Sequence, residues 1–164
     1  MKNAGTLTVS TPSDREIALT RTFNAPRELV FDAWTKPALL KRWLGVFGGW
    51  SLDVCEVDLR PGGKYRYVWR NENGASMGMG GVFREVVRGE RLVSTEKFDE
   101  AWYEGEAVGT VEFTEKAGKT TVTTTVRYAS REVRDGVLRS PMKEGVGASY
   151  DQLEKILPTI SAGR

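Results

Sequence analysis

The chain has 164 residues, 24 lysines and arginines against 22 aspartates and glutamates, no histidine and one cysteine. The length suits one domain with a hydrophobic core of its own. The missing histidines exclude histidine-dependent triads, neutral-pH imidazole chemistry and histidine metal sites, and the lone Cys55 excludes an internal disulfide or a thiolate cluster.

Residues 1–13 are small and polar and contain Pro12. They read as a flexible lead-in to one domain over 14–158, with a short tail over 159–164. "REIALTRTF" alternates Ile17 and Leu19 toward Arg21 and Phe23 and predicts a first strand. Pro26 opens a helix with Leu29, Val30, Ala33 and Trp34 on one stripe. A second short helix follows "TKP", with Thr35 as its expected cap, Pro37 in its first turn, and Leu39, Leu40 and Trp43 on its apolar face. The chain then enters "KRWLGVFGGW", dense in aromatics and broken by Gly45, Gly48 and Gly49. Its first part should be anchored by Trp43. Its second part is expected to act as a flap, with Phe47 and Trp50 as a lip.

Strands dominate the middle. "SLDVCEVDL" places Leu52, Val54 and Glu56 on one face, and "KYRYVW" places Tyr65, Tyr67 and Trp69 together. "SMGMGGVFREVV" sets Met79 and Phe83 toward the same space, although its glycines suggest a bulge or a close neighbour. "RLVSTEKF" is a further strand, and "AVGTVEFTE" and "TTVTTTVRY" flank a hairpin at "KAGK". Trp102 and Tyr103 sit in a polar loop and suggest a lid. Ser130 can cap a short helix through Leu138. From Pro141 a long helix follows, with Met142, Val146, Tyr150, Leu153 and Leu157 along one face and Gly145 and Gly147 within it.

Antiparallel strands followed by one long amphipathic helix indicate an α+β fold in which sheet and helix bury each other's apolar faces. Such a sheet need not close fully on the helix. The residues placed to line a cavity are Trp43, Phe47, Trp50, Tyr65, Tyr67, Trp69, Met79, Phe83, Trp102, Val146 and Tyr150. The hydroxyls of Tyr65 and Tyr67 would orient a polar ligand atom. Glu56 falls on the expected inner face; if buried, its pKa would rise and it could shuttle a proton, but pairing with an arginine or exposure to solvent is the main expectation. No serine or threonine has a base implied beside it, so no catalytic residue is assigned.

No metal or cofactor is expected: the sequence lacks a "DxDxDG" calcium loop and a "GxxxxGK[ST]" run, and "GMGGVF" lacks dinucleotide spacing. The basic stretch "SREVRDGVLRSPMK" also holds Glu132 and Asp135, so nucleic acid is not an expected partner. No apolar run is long enough for a membrane span, and the first residues lack the hydrophobic stretch of a signal peptide, which makes the cytoplasm the expected location. A monomer or homodimer is expected.

"TRTFNAPRELVFDAWTKPALLKRW", "DLRPGGKYRYVW", "GVFREVVRGERLVSTEKF" and "MKEGVGASYDQLEKIL", in this order, resemble the activator-of-heat-shock-protein-90-ATPase homologue family. The resemblance covers about residues 15–158 and points to the stand-alone bacterial type. It implies membership of the START-like, polyketide-cyclase-like superfamily and its helix-grip fold: a curved antiparallel sheet around a long C-terminal helix. The function expected is non-catalytic binding of a small, mainly hydrophobic molecule. A stress-related, co-chaperone-like protein-interaction domain and a cyclase- or hydrolase-like enzyme are the alternatives.

Overall fold

The computed structural model describes residues 6–101 and 103–160. Eight strands form one antiparallel sheet: β1 (Thr8–Ser10), β2 (Glu16–Phe23), β3 (Trp50–Val57), β4 (Lys64–Asn71), β5 (Ser76–Val87), β6 (Arg91–Phe98), β7 (Ala107–Lys116) and β8 (Lys119–Arg127). The spatial order is β1-β2-β8-β7-β6-β5-β4-β3, with β1 and β3 at the edges. Helices α1 (Arg27–Thr35) and α2 (Pro37–Leu40) fill the connection from β2 to β3; α3 (Arg131–Arg139) and α4 (Met142–Ile156) follow β8. The sheet wraps around α4, which gives the expected helix-grip α+β architecture. Thr8–Ser10, inside the segment read as lead-in, pairs with β2 as an edge strand.

The alternation of β2 explains how α4 is held. Ile17, Leu19, Arg21 and Phe23 are all buried. Arg21 reaches Asp151 at 2.8 Å and Glu154 at 3.4 Å, both on α4. One turn further along the sheet, Phe23 meets the Tyr150 ring edge-on at 5.5 Å. Tyr150 also packs on Trp34 at 5.5 Å, and Trp34 on Trp43 at 4.7 Å. The C-terminal half of α4, with Leu153 and Ile156, is thereby sealed into an aromatic core.

Local signals met different outcomes. Ser130 caps α3 as expected, its Oγ accepting from Val133 N at 3.1 Å. Thr35 does not cap α2; its hydroxyl donates back to Phe31 O at 2.9 Å, inside α1. The "KAGK" hairpin turns at Ala117 and Gly118, both at positive φ, and closes on the Lys116–Lys119 pair.

Two register shifts matter for the site. One lies on β3 between Leu52 and Val54, the other on β5 between Phe83 and Glu85. A bulge inserts one residue into a two-residue period, so side chains beyond it change faces. After the β3 bulge, Cys55 and Val57 pack on the core, while Glu56 is exposed opposite Arg66. The sequence placed Glu56 on the inner face by strict alternation, and the bulge corrects that.

A candidate ligand cavity

The space between the sheet and α4 is filled at one end and open at the other. Under the N-terminal half of α4 lies a cavity of about 930 Å³. Its aromatic wall comes from β4, where inward positions recur every second residue. Tyr65 and Tyr67 have ring centres 5.0 Å apart, and Tyr67 and Trp69 5.8 Å apart. Met79 and Phe83 of β5 continue this wall, and Val146 and Tyr150 face it from α4. Ten of the eleven residues read from sequence as cavity lining border this space; Trp102 lies outside the described residues.

Their roles differ in detail. Trp43 is fully buried, and its indole N–H donates to Ala33 O at 3.0 Å, so it serves the core while bordering the cavity's closed end. Tyr65 does not offer its hydroxyl to the cavity, because that group donates to Thr95 O at 2.7 Å. Tyr67 lines the cavity, and burial raises its phenol pKa. Phe47 is 44% exposed at the mouth, beside the equally open Met77.

The glycines of the loop have local causes. Gly48 and Gly49, at φ +58° and +85°, are the two central residues of a tight turn in which Trp50 N donates to Phe47 O at 3.0 Å. Gly45 sits at φ +70°, and a Cβ there would lie 2.2 Å from the Trp69 indole nitrogen. Trp69 donates to Leu44 O at 2.9 Å, and Gly45 N donates to Ser149 Oγ of α4 at 2.9 Å. Gly145 on α4 faces Phe47, whose ring would stand 3.4 Å from a Cβ at that position, an ordinary contact.

The principal polar group of the cavity is one the sequence reading missed. On β6, Leu92, Ser94, Glu96 and Phe98 all line the space. Glu96 pairs with Ala107 and Ser94 with Gly109 on β7. A Cβ at Gly109 would be 3.8 Å from Glu96 Oε2. Burial pushes the Glu96 carboxyl above the usual carboxylate range, and the facing Tyr103 hydroxyl opposes part of that rise. Tyr65, Tyr67, Tyr103 and Tyr128 all have phenol pKa values raised, chiefly by burial, with the nearby Glu96 charge among the lesser causes. The useful sequence signal was the unbroken alternation of "RLVSTEKF", which sets Glu96 between inward Ser94 and Phe98.

Other chemistry is limited. Burial raises the Cys55 thiol to about 11, which keeps it protonated and weakly nucleophilic at neutral pH. Ser149 and Thr95 use their hydroxyl oxygens to accept from Gly45 N and Val82 N, each at 2.9 Å. Among the described residues, no cluster of histidine, cysteine, aspartate or glutamate could hold a metal ion. No helix there is long and apolar enough to cross a membrane.

An open sheet gripping a C-terminal helix over an apolar cavity defines the chain as a helix-grip domain. Residues 24–158 match the family described as Activator of Hsp90 ATPase homolog 1-like protein, and the chain belongs to that family. A crystal structure of a Rhodobacter sphaeroides protein is 30% identical, with TM-score 0.89 over 94% of this chain and 99% of that one. A Nitrosomonas europaea protein is 29% identical, with TM-score 0.78 over 90% and 96% of the two chains. An AHSA1-like protein from Aeromonas hydrophila shares the fold at 21% identity and TM-score 0.69, over 88% and 92%. No functionally curated protein matches the chain with significant similarity.

Proposed function

We propose that this protein binds a small, mainly hydrophobic molecule in the cavity under α4. The observation that carries the reading is the space itself: about 930 Å³, walled by Tyr67, Trp69, Met79, Phe83 and Val146. That volume falls in the range of small-molecule sites, and apolar contact with such walls supplies most of the affinity there. Phe47 and Trp50 form the rim through which the ligand would pass. The test is titration with an environment-sensitive apolar fluorophore of wild type and of Val146→Trp, which fills the cavity from the helix side. The expected result is strong loss of probe binding in a variant that retains its fold. Equal affinity in both proteins overturns the reading.

A second reading is acid–base chemistry on an apolar substrate. Glu96 favours it, because burial raises the pKa of this cavity carboxyl, which lets it hold a proton above the ordinary carboxylate range. Turnover lost in Glu96→Gln, with substrate affinity kept, would be its signature.

A further inference from the structure

We infer that the cavity selects lipophilic cations: an apolar body carrying a basic or quaternary nitrogen that sits against Glu96. This deepens the hydrophobic-ligand reading above and rests on it.

Three observations converge. The first is charge. The ionisable acid and base side chains among the described lining residues are Glu96 and Glu100, with no lysine or arginine beside them. Glu100 is exposed toward the mouth, and Glu96 is enclosed within. An anionic ligand would meet repulsion here and find no counter-charge.

The second is aromatic geometry. Glu96 acts through space on phenols from two separate groups of rings. Tyr65, Tyr67 and Trp69 form one. Phe98, Tyr103 and Tyr128 form the other, with Phe98–Tyr103 at 6.1 Å and Tyr103–Tyr128 at 5.4 Å, both edge-on. Ring faces attract cations, and aromatic side chains lining a ligand space can recognise quaternary ammonium groups.

The third is room. Glu96 borders the cavity of about 930 Å³ directly, and its pairing partner on β7 is the small Ala107. A methylated ammonium head needs that space more than a slim hydroxyl does.

The groups facing Glu96 fix how binding depends on pH. Tyr65 and Tyr67 on β4, Tyr103 on the β6–β7 connection and Tyr128 after β8 all have raised pKa values and stay neutral through the physiological range. Ser94 and Gly109 carry no charge. Glu106, which acts on Tyr65, lies beside β7 with Arg84 at 3.9 Å outside. Glu96 is therefore the cavity group whose deprotonation should strengthen cation binding as pH rises.

The experiment compares decyltrimethylammonium, 1-decanol and decanoate, below their micellar concentrations, by calorimetric titration. Wild type, Glu96→Gln and Val146→Trp are used, each checked for fold by circular dichroism. In wild type the ammonium should bind roughly tenfold tighter than the alcohol, with decanoate weakest. Glu96→Gln should remove that preference and leave decanol affinity unchanged. As pH rises through the raised Glu96 pKa the ammonium should gain affinity in wild type only, while decanol stays flat. Decanol binding as tightly as the ammonium, or an ammonium affinity indifferent to Glu96→Gln, overturns the inference. If Val146→Trp weakens decanol in that case, the hydrophobic-cavity reading stands without it. If Val146→Trp affects none of the probes, the cavity reading falls, and this inference falls with it.

Discussion

Replacing Glu96 by glutamine should make the empty protein more stable at neutral pH, by an amount that vanishes in acid. The side chains have nearly the same shape, and the glutamine amide oxygen can still accept from Tyr103. The difference is charge in an enclosed space. Burial raises the Glu96 pKa in the folded state, whereas an unfolded glutamate titrates near its ordinary value of about 4.3. Between those two values the folded chain holds more protons than the unfolded one. Folding stability therefore falls as pH rises through that window, and the full loss is reached above the folded pKa. Each unit of upward shift costs about 1.4 kcal/mol. An incompletely satisfied buried polar group costs about 1–3 kcal/mol, so a similar gain is expected from Glu96→Gln above the window. At this chain length, each kcal/mol moves the melting temperature by about 2–4 °C. Thermal melts of both proteins from about pH 4 to pH 8 should start together and separate upward, glutamine the higher. Parallel curves, or a glutamine variant that melts lower at pH 8, would refute the idea that the enclosed carboxyl opposes folding.

Gly45→Ala should destabilise by about 2–4 kcal/mol, combining a strained positive φ with displacement of Trp69; urea denaturation measures it, and a change below about 0.5 kcal/mol would contradict the packing described. Tyr65→Phe should cost about 1 kcal/mol through the lost Thr95 bond, yet leave apolar-probe affinity unchanged; a marked affinity loss would show that this hydroxyl serves the cavity. Arg21→Met should separate α4 from β2 electrostatically and cost about 1–3 kcal/mol, discounted because Asp151 is largely exposed; a stability equal to wild type would show that ring packing alone holds the helix.

The architecture was legible because its signals are repeated. Ile17, Leu19 and Phe23, or Tyr65, Tyr67 and Trp69, each mark a face several times, and one wrong reading does not move a strand. The inner face of α4 was likewise written in Tyr150 and Leu153, both buried, and in Val146, which borders the cavity. Where a single residue decided the matter, the sequence was weaker. Thr35 has a cap's chemistry, but the preceding helix offered Phe31 O as its partner. Gly45, Gly48 and Gly49 suggested freedom of movement, yet each stands at positive φ, in a tight turn or against Trp69. The glycine pattern alone therefore gives no reason to assign the loop a moving part.

The cavity acid shows the same limit in its sharpest form. Glu56 and Glu96 each follow a buried leucine by four residues, Leu52 and Leu92, on strands of eight residues. Strict alternation treats them alike and puts both inside. The β3 bulge between Leu52 and Val54 turns Glu56 outward, and Asp53 at that bulge meets Arg70 at 2.7 Å on the outer side. Strand β6 keeps an unbroken register with β7 from Arg91 to Glu96, so Glu96 stays within. The position of the Glu56 carboxylate relative to the ligand space is thus set by one inserted residue on its own strand. Such an insertion alters hydrogen-bond pairing and leaves the pattern of residue types untouched. It follows that deleting Asp53 should remove the bulge without moving Glu56: Leu52 and Glu56 would then stand three positions apart on opposite faces, Cys55 would keep its place opposite Tyr67, and Glu56 would stay outside opposite Arg66.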